Sequence, residues 1–345
     1  MTQIKNTMSK RDILTKVVSS VLTLTFLTAL LLFIFRNNMA DIVNAFKKLS
    51  FINIIYLIAL GSTYQLIDSM ICYYLVKDMY PHFKFRQALG MIYLGVFGKS
   101  SAFAGTIPMK VFYLHYCCIE VGHGIGVITE IYILHKVSVV LFASIMLFTE
   151  KSYFPTSIPG IHKYLIAGYI ICTIIICVLI LLCTWRRAHN FALWLLNKLP
   201  KHGKWKSFTQ RITTQLDCLY GETTALLKNR KLLLHSIVFN LIKLAIFCAI
   251  PYVCLKILGT GIISFPQSEL LTALMFLIVG AVPNIAGIGP TEVVFFLIYA
   301  PLLGDALASS SLLMFRITTH YLPFIISALV FIIIQLRLLS YKKKK

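Results

Sequence analysis

Acidic residues are scarce in this chain: 12 Asp and Glu stand against 33 Lys and Arg in 345 residues. Charged residues of both signs make up only 13%, about half the roughly 25% of a soluble domain. A chain so poor in charge is neither a disordered polymer nor an ordinary soluble enzyme. Metal and redox signatures are also missing. The nine cysteines form no C-x-x-C pair and no Cys/His spacing suited to zinc. Most lie in apolar runs and read as small core fillers. No G-x-x-x-x-G-K-[ST], H-E-x-x-H or G-x-S-x-G occurs, which removes the usual carriers of nucleotide, zinc-protease and serine-hydrolase chemistry. The run Gly95-Val96-Phe97-Gly98-Lys99-Ser100 lacks the four-residue spacing between glycines of a phosphate loop and lies in an apolar segment. No cofactor and no metal are expected.

What is present is grease and positive charge. Hydrophobic residues are 58% of the chain, the formal net charge is +21, and the mean hydropathy is +0.82. This combination points to a polytopic membrane protein with cationic aqueous faces rather than to a nucleic-acid binder. Apolar runs long enough to cross a bilayer are Val17–Phe35, Phe51–Val76, Val127–Phe148, Tyr164–Thr184, Leu232–Leu258 and Leu312–Leu336. The first is longer than a signal-peptide core and reads as a retained span. Two further regions are apolar but interrupted. Gln87–Ile107 carries Gly90, Gly95, Gly98, Lys99 and Gly105 and ends at Pro108, and Leu270–Leu303 is broken by Pro283, Gly287, Gly289 and Pro290.

Lys and Arg set the orientation. Residues 1–16, the stretch Trp185–Lys231 and the tail 337–345 are strongly basic and belong in the cytoplasm. Counting crossings between these anchors leaves an even number for each interrupted region, although each is too short for two full spans. The expected fold is therefore an all-α polytopic integral membrane protein, with about six full transmembrane helices plus two re-entrant or broken-helix elements. Its parts are a cytoplasmic segment 1–16, a transmembrane domain 17–336 with the basic amphipathic segment 185–231 inside it, and a basic tail 337–345. The amphipathic segment reads equally as an interfacial helix on an anionic leaflet or as a cytoplasmic loop whose charge sets topology. Non-helical backbone in the bilayer needs protein or water around it, so both breaks should border an internal cavity.

Ionisable residues within the spans are few: Asp68, Lys99, Glu130, His135, Lys136, Lys243, Glu292, Arg316 and His320. Each is costly there and counts as a functional candidate. A helix starting at Pro290 behind Gly289 would aim free N–H groups inward as an anion site. Glu292 in its first turn reads as a cap, as a partner of Arg316, or as an ammonium or proton site. Arg316, His320 and Pro323 share one helical face. Arg316 reads as a phosphate fork or as the partner of Glu292. Lys110, just past the first break, reads as a second phosphate ligand or a snorkelling lysine. Glu130 and Lys136, six apart, each need a partner from another span.

The pattern Pro283-x-x-x-Gly287-x-Gly289-x-x-Glu292, followed by Arg316, Tyr321 and Pro323, resembles the C-terminal half of the lysylphosphatidylglycerol synthase transmembrane (flippase-like) family. Ile107-Pro108-Met109-Lys110 is similar to its Pro-Gly-Lys run, with Met109 in the glycine position, and Glu130 to Lys136 lies where the family carries an acidic/basic pair. The resemblance covers about residues 15–335. It implies a multi-pass protein of the cytoplasmic membrane, with both termini inside, that translocates an anionic phospholipid or lipid-linked intermediate. The headgroup would meet Lys110, Glu130, Lys136, Gly287, Gly289, Glu292, Arg316, His320 and Tyr321. With no aminoacyl-transferase domain in these 345 residues, the chain is expected to be a stand-alone member and not an enzyme. Expected partners are anionic membrane lipids. A lipid- or glycan-modifying enzyme or a second copy of the chain is a further possible partner; nucleic acid is not expected. Two other readings stand beside this one, a non-transporting subunit of such an enzyme and a secondary transporter of a small solute.

Overall fold

The computed structural model describes residues 50–100, 105–150, 162–198, 229–281 and 289–343, with isolated positions within 15–47 and 209–221. Most of the first apolar run, Val17–Phe35, and the whole break 282–288 with Gly287 lie outside the described residues. In chain order the helices are α1 (Phe51–Met79), α2 (Phe85–Ser100), α3 (Thr106–Tyr116), α4 (Val121–Thr149), α5 (His162–Thr184), α6 (Arg186–Asn197), α7 (Arg230–Ile257), α8 (Phe265–Ala281), α9 (Pro290–Leu303), α10 (Asp305–Arg316) and α11 (Leu322–Lys343). No strand occurs among the described residues. The protein is an all-α polytopic membrane protein. Helices α1, α4, α7 and the α10–α11 rod are long and apolar enough to span a bilayer, and α5, α8 and α9 are shorter apolar helices.

Each interrupted region becomes a helix–break–helix hairpin. In the first, α3 lies back against α2, and glycine makes that approach possible. A Cβ on Gly98 would collide with the Gly105 carbonyl and the Met109 side chain. In the second, the Thr272 hydroxyl on α8 meets the Tyr299 hydroxyl on α9 at 2.8 Å, which fixes the antiparallel register. Both return helices start from a glycine in the left-handed region, Gly105 (φ 74°) and Gly289 (φ 113°), where a side chain would be strained.

The second half repeats the first with the opposite sense. Each half is a long helix, a broken hairpin and another long helix: α1, α2–α3, α4, then α7, α8–α9, α10–α11. The equivalent helices α1 and α7 run antiparallel, because Asp78 meets Asn229, Asp68 meets Lys243 and Tyr64 meets Phe247. Packing matches in pairs. α1 packs on α2 as α7 packs on α8, and α3 on α4 as α9 on α10. The last helix of each half crosses to the other half's hairpin, α4 against α8 and α11 against α2. Local chemistry repeats too. Phe85-Arg86-Gln87 and Phe265-Pro266-Gln267 open the two hairpins, and each glutamine Oε1 accepts from the N–H three residues earlier, of Lys84 (2.7 Å) and Ser264 (2.9 Å). The return limbs begin Pro108-Met109-Lys110-Val111 and Pro290-Thr291-Glu292-Val293. Such antiparallel halves bring both breaks to one central region, the arrangement of inverted-repeat transporters.

Between α10 and α11 the chain widens into a π turn, Ile317–Tyr321. Pro323 explains it: proline has no N–H for the preceding turn, and its ring would clash there. Outside the bundle, α6 leaves Phe191, Trp194 and Leu195 exposed, as an interfacial helix does.

The close crossing predicts a contrast between two glycines. Gly98→Ala costs about 1–3 kcal/mol through backbone overlap. Gly122→Ala, where an added Cβ meets nothing within 4 Å, is neutral or stabilising by up to about 1 kcal/mol. Thermal unfolding of the purified variants in detergent checks the pair.

Candidate functional site

A cavity of about 250 Å³ lies where the two hairpins meet. The end of α2 brings Lys99 and Ser100, the start of α3 brings Thr106 and Lys110, and the first turn of α9 brings Thr291. Asp68 of α1, Arg316 at the end of α10 and Thr319 and His320 in the π turn complete its polar wall. Met275, Phe276 and Val279 of α8 and Phe247 of α7 supply apolar wall. The described helix ends on either side of both breaks thus border one internal space.

Its charge is unbalanced. Among the lining residues, Lys99, Lys110 and Arg316 carry positive charge, and Asp68 is the single carboxylate. That carboxylate is already committed: Asp68 Oδ1 accepts from Lys243 Nζ at 2.6 Å. Behind the wall, Glu292 is committed twice. Its Oε1 lies 2.5 Å from Arg316 Nε, and its Oε2 accepts from the Gly289 N–H at 2.6 Å. Glu292 and Arg316 are each only 4% exposed, so the pair shields two charges that lipid could not solvate. Lys99 and Lys110 form no ion pair among the described residues. The starts of α3 and α9 add to the field, since Thr106 and Thr291 line the cavity from their first turns and a helix N-terminus favours an anion. The arrangement can hold a phosphate-sized anion between two lysines, an arginine edge and two helix starts.

A model of the lysylphosphatidylglycerol synthase transmembrane region matches residues 17–327. The chain belongs to this family. It is accordingly a multi-pass membrane protein of the flippase-like type. No curated relative matches the chain.

Within this family member the sequence candidates separate into groups. Lys110, Arg316 and His320 line the cavity. Gly289 caps α9, and Glu292 serves at once as that helix's cap and as the partner of Arg316. Tyr321 packs edge-on against the His320 ring, at 5.5 Å between centroids, and is not part of the cavity lining. Glu130 and Lys136 are on α4 and are not among the residues that line the cavity. Glu130 is buried, and Lys136 finds its partner on another span, donating to the Gly280 carbonyl at 3.2 Å near the end of α8. Gly287 is outside the described residues. Asp68 and Lys99 join the cavity although the motif reading assigned them no site. Their signal was an ionisable group in an apolar span. Ser100, Thr106 and Thr319 had none, since hydroxyls recur throughout such helices.

The Glu292–Arg316 pair predicts a specific pattern of stability. Glu292→Leu takes the carboxylate away from a buried guanidinium and costs about 3–5 kcal/mol, whereas Glu292→Leu combined with Arg316→Met costs much less. A double-mutant cycle on detergent-solubilised protein measures the difference. A double-variant loss equal to the sum of the Glu292→Leu and Arg316→Met losses would show that the pair contributes no coupling.

Proposed function

We propose that this protein moves an anionic phospholipid or lipid-linked headgroup across the cytoplasmic membrane. The observation that carries this reading is the surplus of cations at the central cavity, where Lys99 and Lys110 form no ion pair among the described residues and stand between two helix starts. A phosphodiester is the lipid group that such a site recognises, through charge-assisted bonds from lysine and from backbone N–H groups. The volume supports a headgroup alone, because sites that enclose a drug-sized molecule begin near about 300 Å³. The acyl chains would then stay in the bilayer while the headgroup passes.

The antiparallel halves supply the movement. In inverted-repeat transporters one half rocks against the other around a fixed central site, and here the Asp68–Lys243 pair joins the two halves where α1 crosses α7, with Asp68 in the wall of the cavity. The sequence carries no nucleotide-hydrolysis motif, so movement is downhill or ion-coupled. With the basic stretch 185–231 inside, both termini are cytoplasmic. The protein acts as a translocator rather than as an enzyme, and anionic lipid is its partner.

Reconstitution with fluorescent anionic and zwitterionic lipids tests the reading. The expected result is accelerated headgroup movement for the anionic lipid. Lys99→Gln with Lys110→Gln slows it by about ten- to a hundredfold, the equivalent of losing charged hydrogen bonds of roughly 1.5–3 kcal/mol. No acceleration of any anionic lipid, or an unchanged rate in the double variant, would overturn the proposal.

A further inference from the structure

The movement proposed above has no energy source among the cavity residues. Glu269 supplies a candidate outside that site. It lies on α8 within the apolar core, is 2% exposed, and neither carboxylate oxygen has a hydrogen-bond partner. It forms no ion pair among the described residues. This sets it apart from Asp68 and Glu292, whose charges are both paired. A bare carboxylate buried among apolar side chains is very costly, and binding a cation removes the cost.

The surroundings identify the cation. On α8, Glu269 and Thr272 are three residues apart and share a face. Thr272 donates to the Ser268 carbonyl at 2.7 Å and meets the Tyr299 hydroxyl at 2.8 Å. The titratable groups within electrostatic reach are Cys248 from α7 and Tyr299 from α9. Toward α8, α4 presents His135 against Phe276 and Lys136 against the Gly280 carbonyl, both nearer the cavity end. α5 directs Tyr169 to Ser144 of α4. No group of three or more His, Cys, Asp or Glu able to hold a metal occurs among the described residues. The Ser268, Thr272 and Tyr299 hydroxyls are already bonded to one another and to the Ser268 carbonyl, so Glu269 stands there as a single acid, which suffices for a proton.

The internal repeat shows that the scaffold does not require this carboxylate. Counting from the shared Phe-x-Gln start, the position of Glu269 in α8 is that of Leu89 in α2. The twin hairpin forms with a leucine there.

We infer that Glu269 is a proton-binding site coupled to headgroup movement through the α8–α9 hairpin. Bound, the proton leaves Tyr299 free to bridge the two limbs through Thr272. Released, the proton leaves a carboxylate that needs donors, and the Tyr299 and Thr272 hydroxyls are those at hand. Turning them toward Glu269 breaks the bridge and loosens the hairpin. Phe276, seven residues along α8 and so about 10 Å away at 1.5 Å per residue, is a wall of the cavity. The hairpin thus transmits the change to the headgroup site.

This inference rests on the translocation reading, so the experiment has two arms. Infrared difference spectroscopy of the purified protein across pH detects a protonated-carboxyl stretch that titrates, and Glu269→Gln and Glu269→Leu both remove it. In proteoliposomes, an imposed pH gradient speeds anionic headgroup movement at least about fivefold, a typical coupling factor, and in either variant the gradient no longer changes the rate. Glu269→Leu, the twin's residue, decides the matter if Glu269→Gln does not fold. A carboxyl band that survives in the variant, a retained gradient response, or acceleration by a sodium gradient in place of a pH gradient would each overturn the inference. Absence of lipid movement under every gradient would refute translocation, while the infrared arm would still decide whether Glu269 holds a proton.

Discussion

Backbone N–H and C=O groups have no partners in lipid, and each one left bare there costs several kcal/mol. That constraint organises this protein. Glycine and proline interrupt two apolar regions, and neither interruption can face acyl chains. The solution is to turn each region back on itself and bring the helix ends beside each break to one internal cavity. The close α2–α3 crossing over Gly98 and the Tyr299–Thr272 bridge between α8 and α9 hold the hairpins shut. The cavity then lies between the described helix ends that flank the two breaks.

Charge follows the same logic. With 12 acids for 33 bases, carboxylates are too few to neutralise the cations, so their placement decides where positive charge is left uncompensated. Asp68 is spent on Lys243 where α1 crosses α7, and Glu292 on Arg316 beside the π turn. Lys99 and Lys110 are left at the cavity with no ion pair of their own among the described residues. The field that would attract a headgroup is thus a consequence of which pairs form elsewhere. Glu269, the buried acid without a cation, is the complementary imbalance.

Much of the architecture was legible from local signals. The runs 51–76, 127–148, 164–184 and 232–258 became α1, α4, α5 and α7 with ends shifted by a few residues. The Gly/Pro clusters marked both breaks, because those residues act on the backbone within a turn of where they stand. In the sequence Pro323 reads only as sharing a face with Arg316 and His320, and the π turn before it is not expected. The site was less legible. Lys99 sits in a glycine-rich run that fails as a phosphate loop, yet the hairpin carries it to the cavity. Glu130 and Lys136, ionisable in a span, lie elsewhere. Depth in a span is a local property, whereas facing a particular cavity depends on helix rotation and on the neighbouring helices.

The two-fold relation between the halves left a thin trace, the paired Phe-x-Gln starts and the paired Pro-x-charge-Val limbs. The remaining equivalent positions diverge because a span needs only apolar side chains of about the right size, and many satisfy that. By itself the sequence determined the membrane class, the long spans, the two breaks and the excess of positive charge. All of these follow from composition and from chain stiffness over a few residues. Only the tertiary structure decided that the halves run antiparallel, that the helix ends beside the two breaks share one cavity, and that two lysines there form no ion pair among the described residues. Those outcomes depend on contacts between residues more than a hundred positions apart, such as Asp68 with Lys243, and no local rule specifies such pairings.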